Sequence, residues 1–288
     1  MADRPNILWY CTDQQRYDTI GALGNAHVHT ATVDALVERG VAFTHAYCQN
    51  PICTPSRASF LTGMYPSTVR ANGNGIAYMP EDYPMVTKLL ADAGYDCGLV
   101  GKLHLASAEA GVEPRAEDGY RYFAYSHAPR DDWEEGHAYV DWLTERGQDL
   151  KTMLASPDNV PAEFHQTTWA TDACIEFLDQ ERNGPWLLSV NPYYPHPPFN
   201  PPREYFERFD PDTLPGPLWR DSDLEQQKKL ADAGVDFQNY PSTPEEMDAK
   251  VIQAQYYAMI ELIDDQFARL LDAIEERGQL ENTLVIFT

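Results

Sequence analysis

A cysteine, a proline, a serine and an arginine lie within five residues at positions 53–57, which are Cys-Thr-Pro-Ser-Arg. We predict a short helix over residues 55–61, with Pro55 in its first turn, where a missing N–H costs nothing. The dipole and free N–H groups at the start of a helix favour a negative charge on a cysteine placed there. Arg57 follows one turn later and is able to reach back towards Cys53. The segment therefore indicates an anion-binding site beside a cysteine.

A cysteine-dependent phosphatase loop would explain the same residue types. That loop wraps an oxyanion between its cysteine and its arginine, and it needs a wider spacing than the four positions between Cys53 and Arg57. The spacing excludes this alternative.

An acid, an ammonium and two imidazoles each follow an apolar run typical of a buried strand, and these are Asp13, Lys102, His104 and His196. Ligands bind beyond the carboxyl ends of strands in open α/β sheets, so we expect the four to converge on one edge. That edge suits a divalent cation together with an anionic substrate. Each residue alone also has an ordinary structural explanation, as a turn former, a solvated lysine, a hydrogen-bonded histidine or a histidine packed in a proline-rich loop.

Strand and helix patterns alternate along the chain and position these residues. Short apolar runs predict buried strands at residues 6–12, 96–100, 185–190 and 283–288. Apolar residues spaced by three or four predict helices at residues 32–39, 83–93, 167–182 and 245–277. We also expect an extended segment at 41–47 and irregular stretches at 106–160 and 191–244. The alternation predicts an α/β fold with a mostly parallel central sheet sandwiched by helices.

Composition narrows the classes of partner. The chain has 288 residues, and 21 lysines and arginines against 45 acidic residues give a formal net charge of −24, which repels nucleic acids and anionic membranes. Its five cysteines form no C-x-x-C pair, which disfavours a zinc ribbon or a disulfide scaffold. We expect no secretory leader, because the N-terminal segment lacks a basic start and a long apolar run, and we expect no membrane span, because no apolar stretch reaches the required length. We therefore expect a cytoplasmic protein that binds neither nucleic acid nor membrane.

Residues 53–63, CTPSRASFLTG, resemble the signature C-x-P-S-R-x-x-x-L-T-G of the type I sulfatases. Three further segments resemble motifs of that family in the same order, and these are RPNIL with TDQ at 4–14, GY…GKLHL at 94–105, and YPHPPF at 194–199. The four motifs cover the chain nearly end to end. The chain is thus similar to the formylglycine-dependent, arylsulfatase-like enzymes of the alkaline phosphatase superfamily, which are α/β metallohydrolases.

The resemblance implies that a formylglycine-generating enzyme oxidises Cys53, and that a hydroxyl of the hydrated aldehyde attacks the sulfur of a sulfate ester. The sulfated hemiacetal then collapses to the aldehyde and releases sulfate, a route that a simple sulfate ester lacks. Asp13, Gln14 and the residue derived from Cys53 would bind a divalent cation, Ca²⁺ or Mg²⁺. Arg57 and Lys102 would orient the diol and neutralise sulfate oxygens.

The resemblance also implies roles for two histidines and an asparagine. His104 would accept the proton of the second hydroxyl as the hemiacetal collapses, and His196 would bind the sulfate or protonate the leaving alcohol. Asn72, shortly after the cysteine motif, would contact the substrate together with Lys102 and His196.

The sequence departs from the family pattern at two points. Gln14 stands where many members have a second aspartate, and an Asp-Gln pair resembles the branch of choline sulfatases and phosphonate monoester hydrolases. The family's remaining metal ligands follow a strand like 283–288 in an S-D-H-G or S-D-N-G sequence. We therefore expect residues 1–288 to form the N-terminal catalytic domain, ending before the second metal-ligand motif and the C-terminal subdomain, with weak metal affinity and little turnover alone.

Three functions remain open at this stage. The leading hypothesis is hydrolysis of a small-molecule sulfate ester, and the alternative is hydrolysis of a phosphonate or phosphate ester. The third hypothesis is that the chain is an inactive truncated remnant. The charge of the pocket separates the substrates, because a sulfate monoester carries one negative charge and a phosphate monoester two. Retention of the complete set of candidate catalytic residues argues against the remnant. The particular ester and the oligomeric state stay open.

Overall fold

The computed structural model describes residues 4–109, 111–129, 133, 135–156, 158–234, 245 and 248–288. Within these ranges the strands are β1 (Asn6–Tyr10), β2 (Asp96–Gly101), β3 (Tyr122–Tyr125), β4 (Trp186–Asn191) and β5 (Thr283–Phe287). The helices of the same ranges are α1 (Ala31–Arg39), α2 (Cys53–Thr62), α3 (Val86–Asp92), α4 (Ala138–Glu145), α5 (Leu150–Leu154), α6 (Gln166–Asp179), α7 (Arg203–Phe206), α8 (Ser222–Asp232) and α9 (Ala249–Glu276).

The five strands form one sheet in the order β3-β2-β4-β1-β5, and every neighbouring pair is parallel. The predicted α/β fold with a mostly parallel sheet is confirmed. Because all strands point the same way, their carboxyl ends lie along one edge of the sheet. The loops that follow β1, β2 and β4 therefore begin side by side.

Strand side chains alternate between two hydrophobic clusters, as the two-residue period of a strand requires. Leu8, Tyr10 and Leu188 pack with residues of α6 and α9 on one face of the sheet. Ile7 and Leu187 pack with residues of α2 and α3 on the other face. The sheet is thus buried between two helical layers, and its central strands are held rigidly beneath the loops that carry polar residues.

The structure corrects several of the expected boundaries. Residues 41–47 are not a continuous extended segment, since they contain a turn and pair with no described strand. Three of their apolar side chains stay largely exposed instead, at 78% for Val41 and 80% for both Phe43 and Tyr47. Helix α2 begins at Cys53 itself, two residues earlier than expected. Helix α9 begins at Ala249, and residues 246–247 of its expected first turn lie outside the described residues.

The two stretches expected to be irregular contain regular elements. The first holds β3, α4 and α5, and the second holds α7 and α8, with residues 235–244 outside the described residues. Strand β3 has four residues, three of them only half-buried at the edge of the sheet, so it lacks a strong apolar signature. Helix α8 buries none of its residues and therefore has no apolar stripe to reveal it.

In the described part of the chain, no helix is both long enough and apolar enough to cross a membrane.

Gly101 closes β2 in the left-handed region, with a φ of +99°, and a Cβ atom there would lie 2.1 Å from the carbonyl oxygen of Asn191. We expect Gly101→Ala to lower the free energy of unfolding by at least about 3 kcal/mol, measured by urea denaturation, because it adds a backbone clash to the conformational strain. Gly24→Ala is the matched control, since its φ of +108° is similar but nothing lies within 4 Å. Equal losses in the two variants would contradict the clash.

Candidate active site

Asp13 lies at the centre of the edge formed by the carboxyl ends of the strands, just after β1, and only 6% of its surface is exposed. Its Oδ2 is 2.7 Å from Lys102 Nζ and 3.3 Å from Arg57 Nη2. Burial pushes the pKa of Asp13 up, but the charges of Arg57 and Lys102 outweigh it and bring the pKa down to about 2. Asp13 is therefore an ionised carboxylate at neutral pH.

Cys53 is the first residue of α2 and faces this ion pair. Its Sγ lies 3.9 Å from Asp13 Oδ1 and 3.6 Å from Lys102 Nζ. The Cys53 side chain is half-buried and so partly accessible to solvent, whereas Asp13 and Lys102 beside it are buried. A group at this position is thus held between a cation and a carboxylate at a helix N-terminus.

Arg57 and Lys102 are fixed by their backbone partners as well as by Asp13. Arg57 Nη1 donates to the carbonyl oxygen of Lys102 at 2.7 Å, and Asn191 Nδ2 donates to the same oxygen at 2.9 Å. The Lys102 ammonium also lies 5.3 Å from the centroid of the Tyr193 ring. Two buried cations therefore meet one carboxylate in a rigid frame, an arrangement that favours an anionic group despite the strongly negative chain.

His196 presents a neutral imidazole to the same point. Its Nδ1 lies 2.6 Å from the carbonyl oxygen of Pro197, and because that oxygen can only accept, Nδ1 carries the proton. Burial lowers the pKa of His196, so the neutral ring leaves the Nε2 lone pair available. Ligand atoms of Asp13, Cys53 and His196 all lie within 4.8 Å of one another.

His104 is buried two residues beyond Lys102 and has a left-handed backbone with a φ of 54°. Burial, and to a smaller extent the nearby positive charge of Lys102, lowers the pKa of His104 to about 2, so this imidazole is also neutral. Its ring packs edge-on against His127 with 4.5 Å between the ring centroids. No hydrogen bond to its buried Nδ1 is seen among the described residues.

The structure brings together six of the eight candidate positions and leaves two at the surface. The Gln14 side chain is exposed, and its backbone carbonyl accepts from the Tyr256 hydroxyl at 2.7 Å. Asn72 is exposed as well, and the described residues give its side chain no hydrogen bond. The expected metal-binding role of Gln14 and the expected substrate contact of Asn72 stay predictions.

Three residues near the site were missed in the sequence. Asn74 Oδ1 accepts from the backbone N–H of Thr54 at 2.9 Å, at the start of α2. The ring of His127 contacts the ring of His104. The buried Glu113 accepts a hydrogen bond from the backbone N–H of His104. The only signal available was the position of Asn74 two residues after Asn72, since the other two fall in a stretch expected to be irregular.

Asn74 satisfies one of the N–H groups that α2 leaves free at its start. We expect Asn74→Ala to lower the free energy of unfolding by about 1 kcal/mol, as the loss of an N-terminal cap does. Asn72→Ala is the control, because both asparagines are exposed but only Asn74 makes a described hydrogen bond to α2, so the loss of the Asn72 side chain should leave stability unchanged. Urea denaturation of both variants measures the difference, and equal midpoints would show that the Asn74 contact does not stabilise α2.

Parallel strands with two buried cations beyond their carboxyl ends define an α/β protein with a site suited to an anionic group. Comparison with known protein families matches residues 5–288 to the family described as Sulfatase. The match extends over nearly the whole chain, which belongs to the sulfatase family.

Individual relatives agree with this assignment. The chain is 29% identical over 305 residues to the arylsulfatase of Clostridium perfringens, covering 99% of this chain and 62% of that protein. It is 25% identical over 300 residues to the choline-sulfatase of Rhizobium meliloti, covering 99% and 56%. The solved phosphonate monoester hydrolase of Agrobacterium radiobacter matches with a TM-score of 0.78 and 27% identity, over 99% of this chain and 62% of that one. The chain therefore spans about three fifths of the length of these relatives, and its fold is that of the alkaline phosphatase superfamily.

The family implies a divalent cation, and the residues around Asp13 fit one. The carboxylate of Asp13 is the type of ligand that Ca²⁺ and Mg²⁺ prefer, and it lies within reach of both Cys53 and His196. The thiol of Cys53 is too soft a ligand for these cations, whereas an oxygen at the same position would suit them. The donor set therefore fits the cation best when residue 53 carries oxygen.

Proposed function

We propose that this chain carries the catalytic site of an enzyme that hydrolyses small-molecule sulfate esters through a formylglycine made from Cys53. The observation that carries the proposal is the position of Cys53 Sγ, 3.6 Å from Lys102 Nζ and 3.9 Å from Asp13 Oδ1 at the start of α2. A nucleophile at this position and the anionic group that it attacks would share the same buried cations. Three expectations stay predictions: that residues 1–288 form the N-terminal catalytic domain, that the protein is cytoplasmic, and that it binds neither nucleic acid nor membrane.

Two groups would add chemistry that the encoded side chains lack. Formylglycine at position 53 would supply an aldehyde hydrate, with one hydroxyl to attack sulfur and a second that gives sulfate a way to leave. A Ca²⁺ or Mg²⁺ ion held by Asp13, Gln14 and residue 53 would supply Lewis acidity that favours ionisation of a hydroxyl. A formylglycine-generating enzyme or an equivalent maturing enzyme is then a required partner.

Arg57 and Lys102 would bind the sulfate oxygens. Both are buried, and the hydrogen bond from Arg57 to the Lys102 carbonyl fixes one cation relative to the other. Donors that are already oriented stabilise charge in the transition state without reorganising. Their positions therefore serve both the binding of the ester and the departure of sulfate.

His104 and His196 would move protons. His104 is neutral and buried, so it would act as the base that takes the proton of the second hydroxyl. His196 is neutral in the free protein, and a bound anion would raise its pKa. Once protonated, it would donate to the leaving alcohol from Nε2, because Nδ1 is held by Pro197.

A phosphonate monoester is the second candidate substrate, favoured by the TM-score of 0.78 to a phosphonate monoester hydrolase. Sulfate and phosphonate monoesters both carry one negative charge, whereas a phosphate monoester carries two. A pocket with two buried cations and one carboxylate, Asp13, suits the single charge. The ratio of kcat/KM for matched aryl sulfate, phosphonate and phosphate esters separates the three.

Mass spectrometry of the chain co-expressed with a formylglycine-generating enzyme tests the proposal. Trypsin cuts after Arg39 and Arg57 and releases one peptide, residues 40–57, that contains both Cys48 and Cys53. Conversion of Cys53 lowers the peptide mass by about 18 Da, as expected for exchange of a thiol-bearing carbon for an aldehyde. After treatment with iodoacetamide, Cys48 alone should be alkylated. The same peptide from cells without the maturing enzyme is the control, and an unchanged Cys53 thiol in both would overturn the formylglycine mechanism.

A further inference from the structure

Glu113 lies behind the candidate site, and its carboxylate is almost fully buried, with 2% of the residue exposed. Its Oε2 accepts from the backbone N–H of His104 at 2.6 Å and from the Tyr125 hydroxyl at 2.7 Å. Its Oε1 accepts from the backbone N–H groups of Leu105 at 2.7 Å and Ala106 at 3.2 Å. One side chain therefore satisfies three consecutive N–H groups of the loop after β2.

These contacts require a carboxylate rather than an amide. Each oxygen of Glu113 accepts two hydrogen bonds, and the three backbone partners can only donate. An amide in the same place would turn an NH₂ group towards at least one of those backbone donors. Such a buried polar network is stable only when every member is satisfied.

The loop that Glu113 holds has an unfavourable backbone conformation at His104. His104 has a φ of 54°, a left-handed conformation that a residue with a Cβ atom seldom adopts. Its ring rests against His127 and shows no hydrogen bond to Nδ1 among the described residues. The direction of the His104 side chain is therefore set mainly by the backbone that Glu113 fixes.

We propose that Glu113 is a positioning residue that holds the His104 imidazole in place for proton transfer. The kinetic part of this inference rests on the proposed sulfatase function. Glu113 is almost fully buried, and the hydrogen bonds seen to its carboxylate come from the loop at 104–106 and from Tyr125, so it acts through His104 and not on the substrate.

Glu113→Gln in the matured chain, with an aryl sulfate as substrate, is the kinetic test. We expect kcat to fall by about 10- to 100-fold without a rise in KM, because His104 acts when sulfate is released and the cations that bind the ester stay in place. Asp264→Asn is the matched control, since Asp264 is a buried carboxylate that accepts from the N–H groups of Thr32 and Val33 at 2.9 Å. The control should lose stability and keep kcat. A Glu113→Gln enzyme with a raised KM and an unchanged kcat would overturn the proposal.

Nuclear magnetic resonance tests the same proposal without activity. In Glu113→Gln, the ring resonances of His104 should shift and the amides of residues 104–106 should exchange faster with solvent, whereas Asp264→Asn should change neither. Unchanged His104 resonances would overturn the proposal. If they shift as expected in a chain that hydrolyses no sulfate ester, the positioning by Glu113 is supported and the proposed function is what fails.

Tyr125→Phe keeps the test available if Glu113→Gln does not fold. It removes one donor and leaves the carboxylate with its three backbone partners. Because the Tyr125 hydroxyl and the His104 N–H share Oε2, the His104 amide resonance should move more than those of Leu105 and Ala106. A His104 amide that stays in place would overturn the proposal.

Discussion

Cys53→Ala is expected to lower kcat for sulfate ester hydrolysis by at least about 10⁴-fold, the scale seen when a covalent nucleophile is removed. The variant has no thiol to be oxidised, so the aldehyde hydrate cannot form. Asp13, Arg57 and Lys102 keep their contacts with one another, and binding of the anionic ester should persist. Initial rates with an aryl sulfate, measured on chains matured in the same host, give the comparison.

Cys48→Ala is the matched control for this loss. Cys48 is a free and exposed cysteine five residues away, in the same tryptic peptide, and its replacement should leave kcat unchanged. If Cys53→Ala retains wild-type activity, or if the two alanine variants lose activity equally, a mechanism through residue 53 is wrong.

Cys53→Ser separates attack on sulfur from release of sulfate. A serine hydroxyl at position 53 would displace the alcohol once and keep the sulfate as a simple ester. Because that ester lacks the second hydroxyl of an aldehyde hydrate, water would have to attack sulfur again. We expect one equivalent of alcohol per chain followed by arrest, with the sulfate detected on the residue by mass spectrometry. Steady turnover by this variant would contradict the role of the aldehyde.

The convergence of Asp13, Lys102 and His196 was predictable from the sequence because parallel strands share one carboxyl edge. Each residue follows a strand whose apolar run is unmistakable, so the fold class alone brings the three together. Cys53 and Arg57 were predictable for a different reason, since both lie on one local segment whose spacing fixes their relation. The family motifs then added the chemistry that spacing alone does not give.

The contacts that hold these residues in place could not be predicted in the same way. Glu113 reaches His104 only because the loop between them folds back with a left-handed residue, which no apolar periodicity records. Asn74 and Asn72 look alike in the sequence, and only the path of the loop after α2 aims Asn74 at Thr54. The strand order was equally hidden, since β3 lies at the edge of the sheet with a half-buried sequence.

The stability of the site should depend on pH through Asp13. In the folded chain its pKa is about 2, against an ordinary value of 3.8, because the attraction of Arg57 and Lys102 exceeds the cost of burial. A carboxyl group whose pKa is lowered by folding stabilises the folded chain. The full contribution is present when the pH is well above the ordinary pKa of the group, and it is lost as the pH falls through the pKa of the folded chain, about 2. The shift corresponds to about 2 kcal/mol of stability at neutral pH.

Asp13→Asn should remove more than this contribution, because it leaves two buried cations without their anion. Lys102 and Arg57 are 2% and 4% exposed, so water cannot replace the carboxylate. We expect the free energy of unfolding at pH 7 to fall by about 3 to 5 kcal/mol, measured by urea denaturation. The gap between the wild type and the variant should narrow on acidification, since protonation removes the same charge from the wild type.

Asp18→Asn makes the same change of carboxylate to amide at the surface, where Asp18 pairs with Arg16 and both side chains are largely exposed. Solvent screens such a pair, so this variant should lose less than about 1 kcal/mol. A loss in Asp13→Asn no larger than that of Asp18→Asn would contradict the dependence of the two buried cations on Asp13. A gap that stays constant from pH 7 to pH 3 would contradict the lowered pKa. The cations that pair with Asp13 are those proposed to bind sulfate. A large loss of stability in Asp13→Asn would therefore show that the fold needs an anion beside these two cations even when no substrate is bound.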